Sequence, residues 1–362
     1  LAGVSGMSND LFTAAYRWMG HLRGGLASAT IAACAGFAAL SGSSLASAVT
    51  MGRVALPEMK RYKYADSLST GSVAAGGTLG FLIPPSGGMI IYAVLTEQSV
   101  GRLFMAGVIP GIILTLLFIG AIYLVVARNP EAGPPGERAS RADRRESLLR
   151  AAPILGVVLL TIGGMYTGFF TPVEASSVGA FLTFVVAAWR RSLTVQASRE
   201  VILQTMSATA TVFLIIIGAF VFIPFMSMTE LPAQLVSILT SLPIGDVGIL
   251  FLIILAYIFL GMFLESIAML VLTIPVVIPI AVGLNWDLIW FGIIVVIVLE
   301  MGMISPPVGI NVFIVKSIAP DVPMGQIFRG IWPFWFAMVV MLVLLVFFPK
   351  IALFLPHAIV GG

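Results

Sequence analysis

Cysteine, histidine and charge are all scarce in this chain. Its one cysteine, Cys34, excludes a disulfide framework and any cysteine-based metal cluster. The two histidines, His21 and His357, stand near opposite ends, so a histidine metal site or a Ser-His-Asp enzyme has no support. Charged residues are 10% of the 362 residues against 59% hydrophobic, and the mean hydropathy is +1.10. No soluble domain tolerates so apolar a surface, which leaves an all-α polytopic membrane protein. Charge-free runs at 103–127, 151–173, 201–229 and 331–349 each suffice for a span of ~20 residues. They lack the alternation that marks the ~10-residue strands of a membrane barrel.

Lysine and arginine are missing altogether from residues 200–315. Most of the 19 basic residues gather at Arg17/Arg23, Arg53–Lys63, Arg128–Arg150 and Arg190–Arg199, which the positive-inside rule places on the cytoplasmic face. The Pro/Gly-rich, charged stretch 128–150 reads as a flexible cytoplasmic linker between two halves, residues 1–127 and 151–362. Arg23 and Arg53 lie too close in sequence for two crossings, which take about 40 residues. The segment between them reads as a re-entrant hairpin whose polar tip, SGSSLAS at 41–47, is covered by protein or a water-filled cavity. A small-residue helix contact is the other reading.

Two proline pairs interrupt otherwise apolar helices, Pro84-Pro85 and Pro306-Pro307, 222 residues apart. The same offset pairs Ser44 with Ser266, Ala46 with Ala268, Pro57 with Pro279, Gly80 with Gly302 and Gly87 with Gly309. One residue later in register, GVIP at 107–110 meets GIWP at 330–333. The chain thus reads as two copies of one unit: hairpin, broken helix, full span. Basic residues flank the first hairpin, whereas the second, near 246–287 with tip GMFLESIAM, has none. The copies are therefore expected to be inverted, a design that points to a secondary transporter with its site near the membrane midplane. The second copy carries about three more spans upstream of its hairpin than the first. This predicts roughly 60–80 further residues, at ~20 per span, before a chain that here opens on Leu rather than Met. The opening NDLFTAAYRWMGHL reads as an interfacial amphipathic helix bracing the first hairpin.

Each proline removes an N–H and crowds the carbonyl four residues back. The expected free carbonyls are those of Gly80 and Phe81 at the first break, Gly302 and Met303 at the second. Such groups are costly in lipid unless something binds them, and Na⁺ is satisfied by carbonyl and hydroxyl oxygens. The hairpin tips supply the partners: Ser41 and Ser43 opposite the first break, Glu265 and Ser266 opposite the second. Glu265 is the expected buried carboxylate, with a protonated, purely structural Glu as its bland reading. Glu300 and Glu174 are weaker candidates, Glu174 as a helix N-terminal charge after Pro172. Ser44, Ser86, Ser266 and Asn311 are candidate substrate ligands, the helix starts near Ser86 and Asn311 offering backbone amides to an anion.

The segments ALSGSSLASAVTMG, GGTLGFLIPPSGGMIIYAVLTEQSVGRLFMAGVIPG, YTGFFTPVEASSVGA, LGMFLESIAMLVLTIPVVIPI and ISPPVGINVFIVKSIAPDV resemble, in order, the large membrane subunit of the tripartite ATP-independent periplasmic (TRAP) transporters. The resemblance implies a multi-pass protein of the bacterial inner membrane, not an enzyme, that imports organic acids such as C4-dicarboxylates or sialic acids with Na⁺ as coupling ion and no organic cofactor. It implies a small membrane subunit, a periplasmic substrate-binding protein and membrane lipid as partners, and an elevator motion of the hairpins and broken helices. One Na⁺ site would use Ser41 and Ser43 with the carbonyls of Gly80, Ile83 and Pro85. The other would use Glu265 with Gly302, Ser305 and Pro307; the family more often has Asp at position 265. A stand-alone Na⁺/dicarboxylate symporter of related design is the alternative, distinguished by needing no binding protein.

Overall fold

The computed structural model describes residues 1–241 and 243–360, and among these no strand occurs. The first half begins with α1 (Met7–Met19), then a tight helical hairpin of α2 (Gly25–Ser41) and α3 (Ser44–Arg61). An interrupted helix follows, α4 (Asp66–Leu82) and α5 (Gly87–Thr96), and then one long helix, α6 (Val100–Arg128). The second half opens with α7 (Arg141–Tyr166), α8 (Pro172–Trp189), α9 (Val195–Met228) and α10 (Leu231–Ser241). It then gives a second hairpin, α11 (Gly245–Gly261) and α12 (Ser266–Gly283), and a second interrupted helix, α13 (Leu288–Ile304) and α14 (Ile310–Ile318). The chain closes with α15 (Met324–Phe347) and α16 (Lys350–Val360). Seven helical stretches among the described residues are long and apolar enough to cross a membrane.

Local chemistry explains most boundaries. Side chains of Ser43, Ser86 and Ser99 accept from the exposed first-turn amides of α3, α5 and α6, and Asp287 does the same for α13. Reciprocal capping boxes start α7 (Ser140 with Asp143) and α8 (Thr171 with Glu174). Glu174 is thereby spoken for: its carboxylate accepts from both the amide and the hydroxyl of Thr171. The Pro-Pro pairs end α4 and α13, since neither proline can donate to the helix ladder.

The two interrupted helices form the centre. Every residue of α4 from Leu68 to Leu82 and of α13 from Ile289 to Ile304 is buried. Each hairpin packs on the interrupted helix of its own half, α2 and α3 on α4, and α11 and α12 on α13. The short helices beyond the breaks cross over: α5 packs on α12, and α14 on α3. Tyr92 of α5 reaches across to donate to the Leu288 carbonyl at 2.7 Å. At the other extreme α9 is largely exposed, with Phe213, Leu214, Phe220 and Val221 open on its surface, as suits lipid or a partner helix.

The charged stretch after α6 is tied to the rest of the chain at Ala132, Gly133 and Gly136. Gly24 and Ala65 donate backbone hydrogen bonds to the carbonyls of Gly133 and Ala132, and Gly136 donates to Gly20. Residues 141–150 are the first turns of α7. Composition suggests a flexible linker there; the backbone partners Gly20, Gly24 and Ala65, beside the ends of α1, α2 and α4, are too remote in sequence to be read. A second tie is ionic. Arg190, just past α8, pairs with Asp10 of α1 and also donates to the Ser5 and Arg150 carbonyls. Both side chains are mostly shielded, at 23% and 19% exposed. Arg190→Ala is expected to cost about 1–2 kcal/mol, between the values for exposed and buried pairs. A melting temperature equal to wild type in detergent would show that the tie carries no stability.

Candidate functional site

The first hairpin tip docks onto the first break. Ser41 ends α2, Gly42 turns the chain with φ +58°, and Ser43 caps α3. Gly87, at the start of α5, donates its amide to the Gly42 carbonyl at 3.0 Å. A side chain at Gly42 would lie 2.8 Å from the Pro85 carbonyl oxygen, so the tip and the Pro-Pro segment are in contact. Gly80 comes equally close: a Cβ there would stand 2.5 Å from the Ser43 carbonyl oxygen and 2.6 Å from Ser47 Oγ. Ser47 Oγ is hydrogen-bonded to Ser41 Oγ at 2.8 Å. The structure thus brings Ser41, Ser43, Gly80 and Pro85 together. It adds Ser47, which sequence reasoning passed over although it belongs to the quoted tip motif. Ser43 contributes its carbonyl rather than its hydroxyl, which caps Ala46 at 3.4 Å. Ile83 ends α4 with its amide on the Leu79 carbonyl and its side chain against Gly111.

The second break is built differently. Gly302 packs on Gly261 at the end of α11, where a Cβ would fall 2.6 Å from the Gly261 Cα and 3.2 Å from its carbonyl oxygen. Gly309 donates to the Met262 carbonyl at 3.4 Å, beside Pro307. Ser305 Oγ donates to the Met301 carbonyl at 2.6 Å and accepts from the indole of Trp335 at 3.0 Å. Glu265 is not joined to Gly302, Ser305 or Pro307 by any hydrogen bond among the described residues. Its carboxylate folds back to cap α12, accepting from Ile267 and Ala268 at 2.9 and 3.2 Å. An anionic side chain at a helix N-terminus finds its own amides first.

The broken ladders also differ from the expectation of four free carbonyls. Phe81 accepts from Ser86 Oγ at 2.5 Å, and Gly302 accepts from the Ser305 amide at 2.9 Å. A hydroxyl and an amide immediately downstream turn back into each broken end, which the missing proline N–H groups leave open. A carbonyl has two lone pairs, so each retains one for a further partner. Both Pro-Pro bonds are cis.

Between the two tips lies the most buried carboxylate, and it is Glu300 rather than Glu265. Glu300 is 1% exposed, and its Oε1 accepts from Ser266 Oγ at 3.2 Å. Ser44, from the other hairpin, lies beside the same carboxyl. Glu300 Oε2 is buried without a hydrogen-bond partner. Of the candidate substrate ligands, Ser44 and Ser266 therefore converge, through Glu300. Ser86 is committed to Phe81 and to capping Met89. Asn311 is fully buried with both ends of its amide unpartnered. No hydrogen bond among the described residues joins Ser86 to Asn311. A cavity of about 480 Å³ runs from Ser41, Ala46 and Pro85 out to Thr161 and Thr183 on α7 and α8 and to Gln204 on α9.

Paired hairpins docked on paired helix breaks, in a chain this apolar, define a membrane transport protein with polar groups gathered at its centre. The chain belongs to the tripartite ATP-independent periplasmic transporter family, DctM component, whose family model matches residues 1–351. It is 36% identical to the C4-dicarboxylate TRAP transporter large permease protein DctM of Pseudomonas aeruginosa, over 98% of this chain and 82% of that one. Identity is 32% to the sialic acid TRAP transporter large permease protein SiaM of Vibrio cholerae, over 100% of this chain and 84% of the relative. The ectoine/5-hydroxyectoine TRAP transporter large permease protein UehC of Ruegeria pomeroyi is 33% identical over 93% of this chain and 78% of its own length. The family is one of transport permeases, not of enzymes.

Proposed function

We propose that this chain is the permease of a Na⁺-coupled importer of a small organic acid across the bacterial inner membrane. The observation that carries the reading is the oxygen cluster at the first break, where Ser41, Ser47 and the Ser43 carbonyl surround the bare backbone of Gly80. Hydroxyl and carbonyl oxygens without a net charge suit a monovalent hard cation. The second break offers carbonyls and Ser305, with Glu265 at the neighbouring tip supplying negative charge. On this reading the hairpins are re-entrant, the two halves are inverted repeats, and α2–α5 with α11–α14 move together as an elevator against α7–α10. The substrate carboxylate lies between the tips, beside Asn311, whose unpartnered amide is free to donate. The relatives named for C4-dicarboxylate, sialic acid and ectoine support an organic acid without selecting one. A periplasmic binding protein delivers the substrate and a small membrane subunit completes the scaffold.

Uptake into proteoliposomes tests this. The complete permease, with its small subunit, should accumulate substrate only with an inward Na⁺ gradient and a loaded binding protein. Uptake indifferent to Na⁺ would overturn the coupling. Equal uptake without binding protein would favour a stand-alone symporter.

A further inference from the structure

Glu300 has no role in either sodium site as drawn above. It lies on α13 two residues before Gly302, and residues two apart on a helix face nearly opposite ways. Gly302 faces α11 and the second break, while Glu300 faces Ser266. Ser44 and Ser266 are the first residues of α3 and α12: Ser266 donates to this carboxyl from one hairpin, and Ser44 stands beside it from the other. All three side chains are more than nine-tenths buried.

Among the described residues no cation of the protein is placed to compensate a charge at this point. None of the four ion pairs among the described residues involves Glu300. No lysine or arginine occurs between Lys63 and Arg102, or between Arg199 and Lys316, the stretches that hold both breaks and the second hairpin. A carboxyl so enclosed is ionised only with a counter-ion beside it, and Oε2 has no donor. Ser44 and Ser266 can turn their protons away and present lone pairs. One carboxylate with two hydroxyls, from three separate elements, is a ligand set for a hard cation of single charge.

We propose that Glu300, Ser44 and Ser266 form a third sodium site, shared by the two hairpins and distinct from the sites at the breaks. The proposal rests on the sodium-coupled reading above. Because both hairpins contribute, the ion ties their tips together and adds to the cross-packing that makes the two one body.

The test is equilibrium binding of radioactive sodium to the complete permease in lipid nanodiscs, without substrate. Glu300→Gln is expected to bind one sodium fewer than wild type. Ser266→Ala should keep the count but weaken one class of site at least about tenfold, the usual scale for losing one supporting group at a metal. Unchanged count and affinity in Glu300→Gln would overturn the proposal. So would an unchanged sodium count accompanied, in proteoliposomes, by loss of the response of uptake to an imposed pH gradient, which gives the position to a proton. If Glu300→Gln does not fold, wild-type affinity in Ser266→Ala is sufficient to overturn it. Wild-type protein that binds no sodium at all would instead defeat the coupling reading itself.

Discussion

Gly80→Ala is expected to reduce sodium-coupled uptake about 10–100-fold, as does disturbing the support of a metal site. The added methyl has nowhere to go. It would stand 2.5 Å from the Ser43 carbonyl oxygen and 2.6 Å from Ser47 Oγ, and the first of these is backbone that no rotamer change can move aside. Those two oxygens, with Ser41 Oγ, are the polar groups proposed to hold the ion. The substitution therefore pushes the hairpin tip away from the break and opens the cluster. Because the helix itself tolerates alanine better than glycine, α4 should still form. Sodium dependence is the decisive readout: the concentration for half-maximal uptake should rise in the protein that remains folded. A variant with wild-type sodium dependence would detach Gly80 from the ion, whatever its overall rate. Gly302→Ala is the matching experiment, but there the added methyl meets Gly261 backbone rather than a hydroxyl cluster. Its effect on sodium should be smaller than its effect on packing.

That difference marks how far the internal repeat can be read from residues alone. Pro, Gly and Ser are rare enough in an apolar chain that their recurrence at one offset locates both tips and both breaks. The helix ends at Ser41, Leu82, Gly261 and Ile304 fall where those residues predict. The oxygen set does not repeat. At the same offset Ser41 is matched by Phe263, Ser43 by Glu265 and Ser47 by Met269, so the second break has no hydroxyl cluster of its own. Glu265 is legible as a tip residue, but its use as a cap depends on where its carboxylate can turn, which is a matter of local geometry. Glu300 is legible only as a weaker candidate, for a different reason. It is a single acid in the run LIWFGIIVVIVLEMGMI, and what distinguishes it is contact with Ser266 and Ser44, one from each hairpin. Periodicity cannot report a meeting of three elements. The backbone ties of the charged stretch between α6 and α7 fail to show for the same cause, since Gly20, Gly24 and Ala65 make them from far away in sequence.

Gly330→Val is expected to prevent assembly of the permease, costing at least about 3 kcal/mol. Gly330 on α15 lies directly on the backbone of α4: a Cβ would overlap the Ser67 carbonyl oxygen and fall 2.6 Å from its carbon. The contact is mutual, because a Cβ on Gly71 would overlap the Gly330 carbonyl. Backbone meeting backbone leaves no side chain to rotate away, so the helices must separate, and α4 is the most enclosed helix of its half. A fall in melting temperature of roughly 6–12 °C, on the scale of 2–4 °C per kcal/mol for chains of this order, should be seen wherever protein can be recovered. Gly120→Ala on α6 is the control, since a Cβ there meets nothing within 4 Å and alanine favours the helix. Equal stability of Gly330→Val and Gly120→Ala would contradict the packing. The consequence reaches the transport motion as well. Gly107 of α6, which precedes its helix proline by three residues as Gly330 does, presses on the opposite end of α4, where a Cβ would lie 2.8 Å from the Leu82 carbonyl oxygen. α4 is thus held at both ends by the two long helices that follow the broken ones. If the hairpins and broken helices travel, α6 and α15 cannot stay behind at these contacts. They must bend or tilt with α4, and Pro110 and Pro333, three residues beyond the two glycines, are where each helix is built to do so.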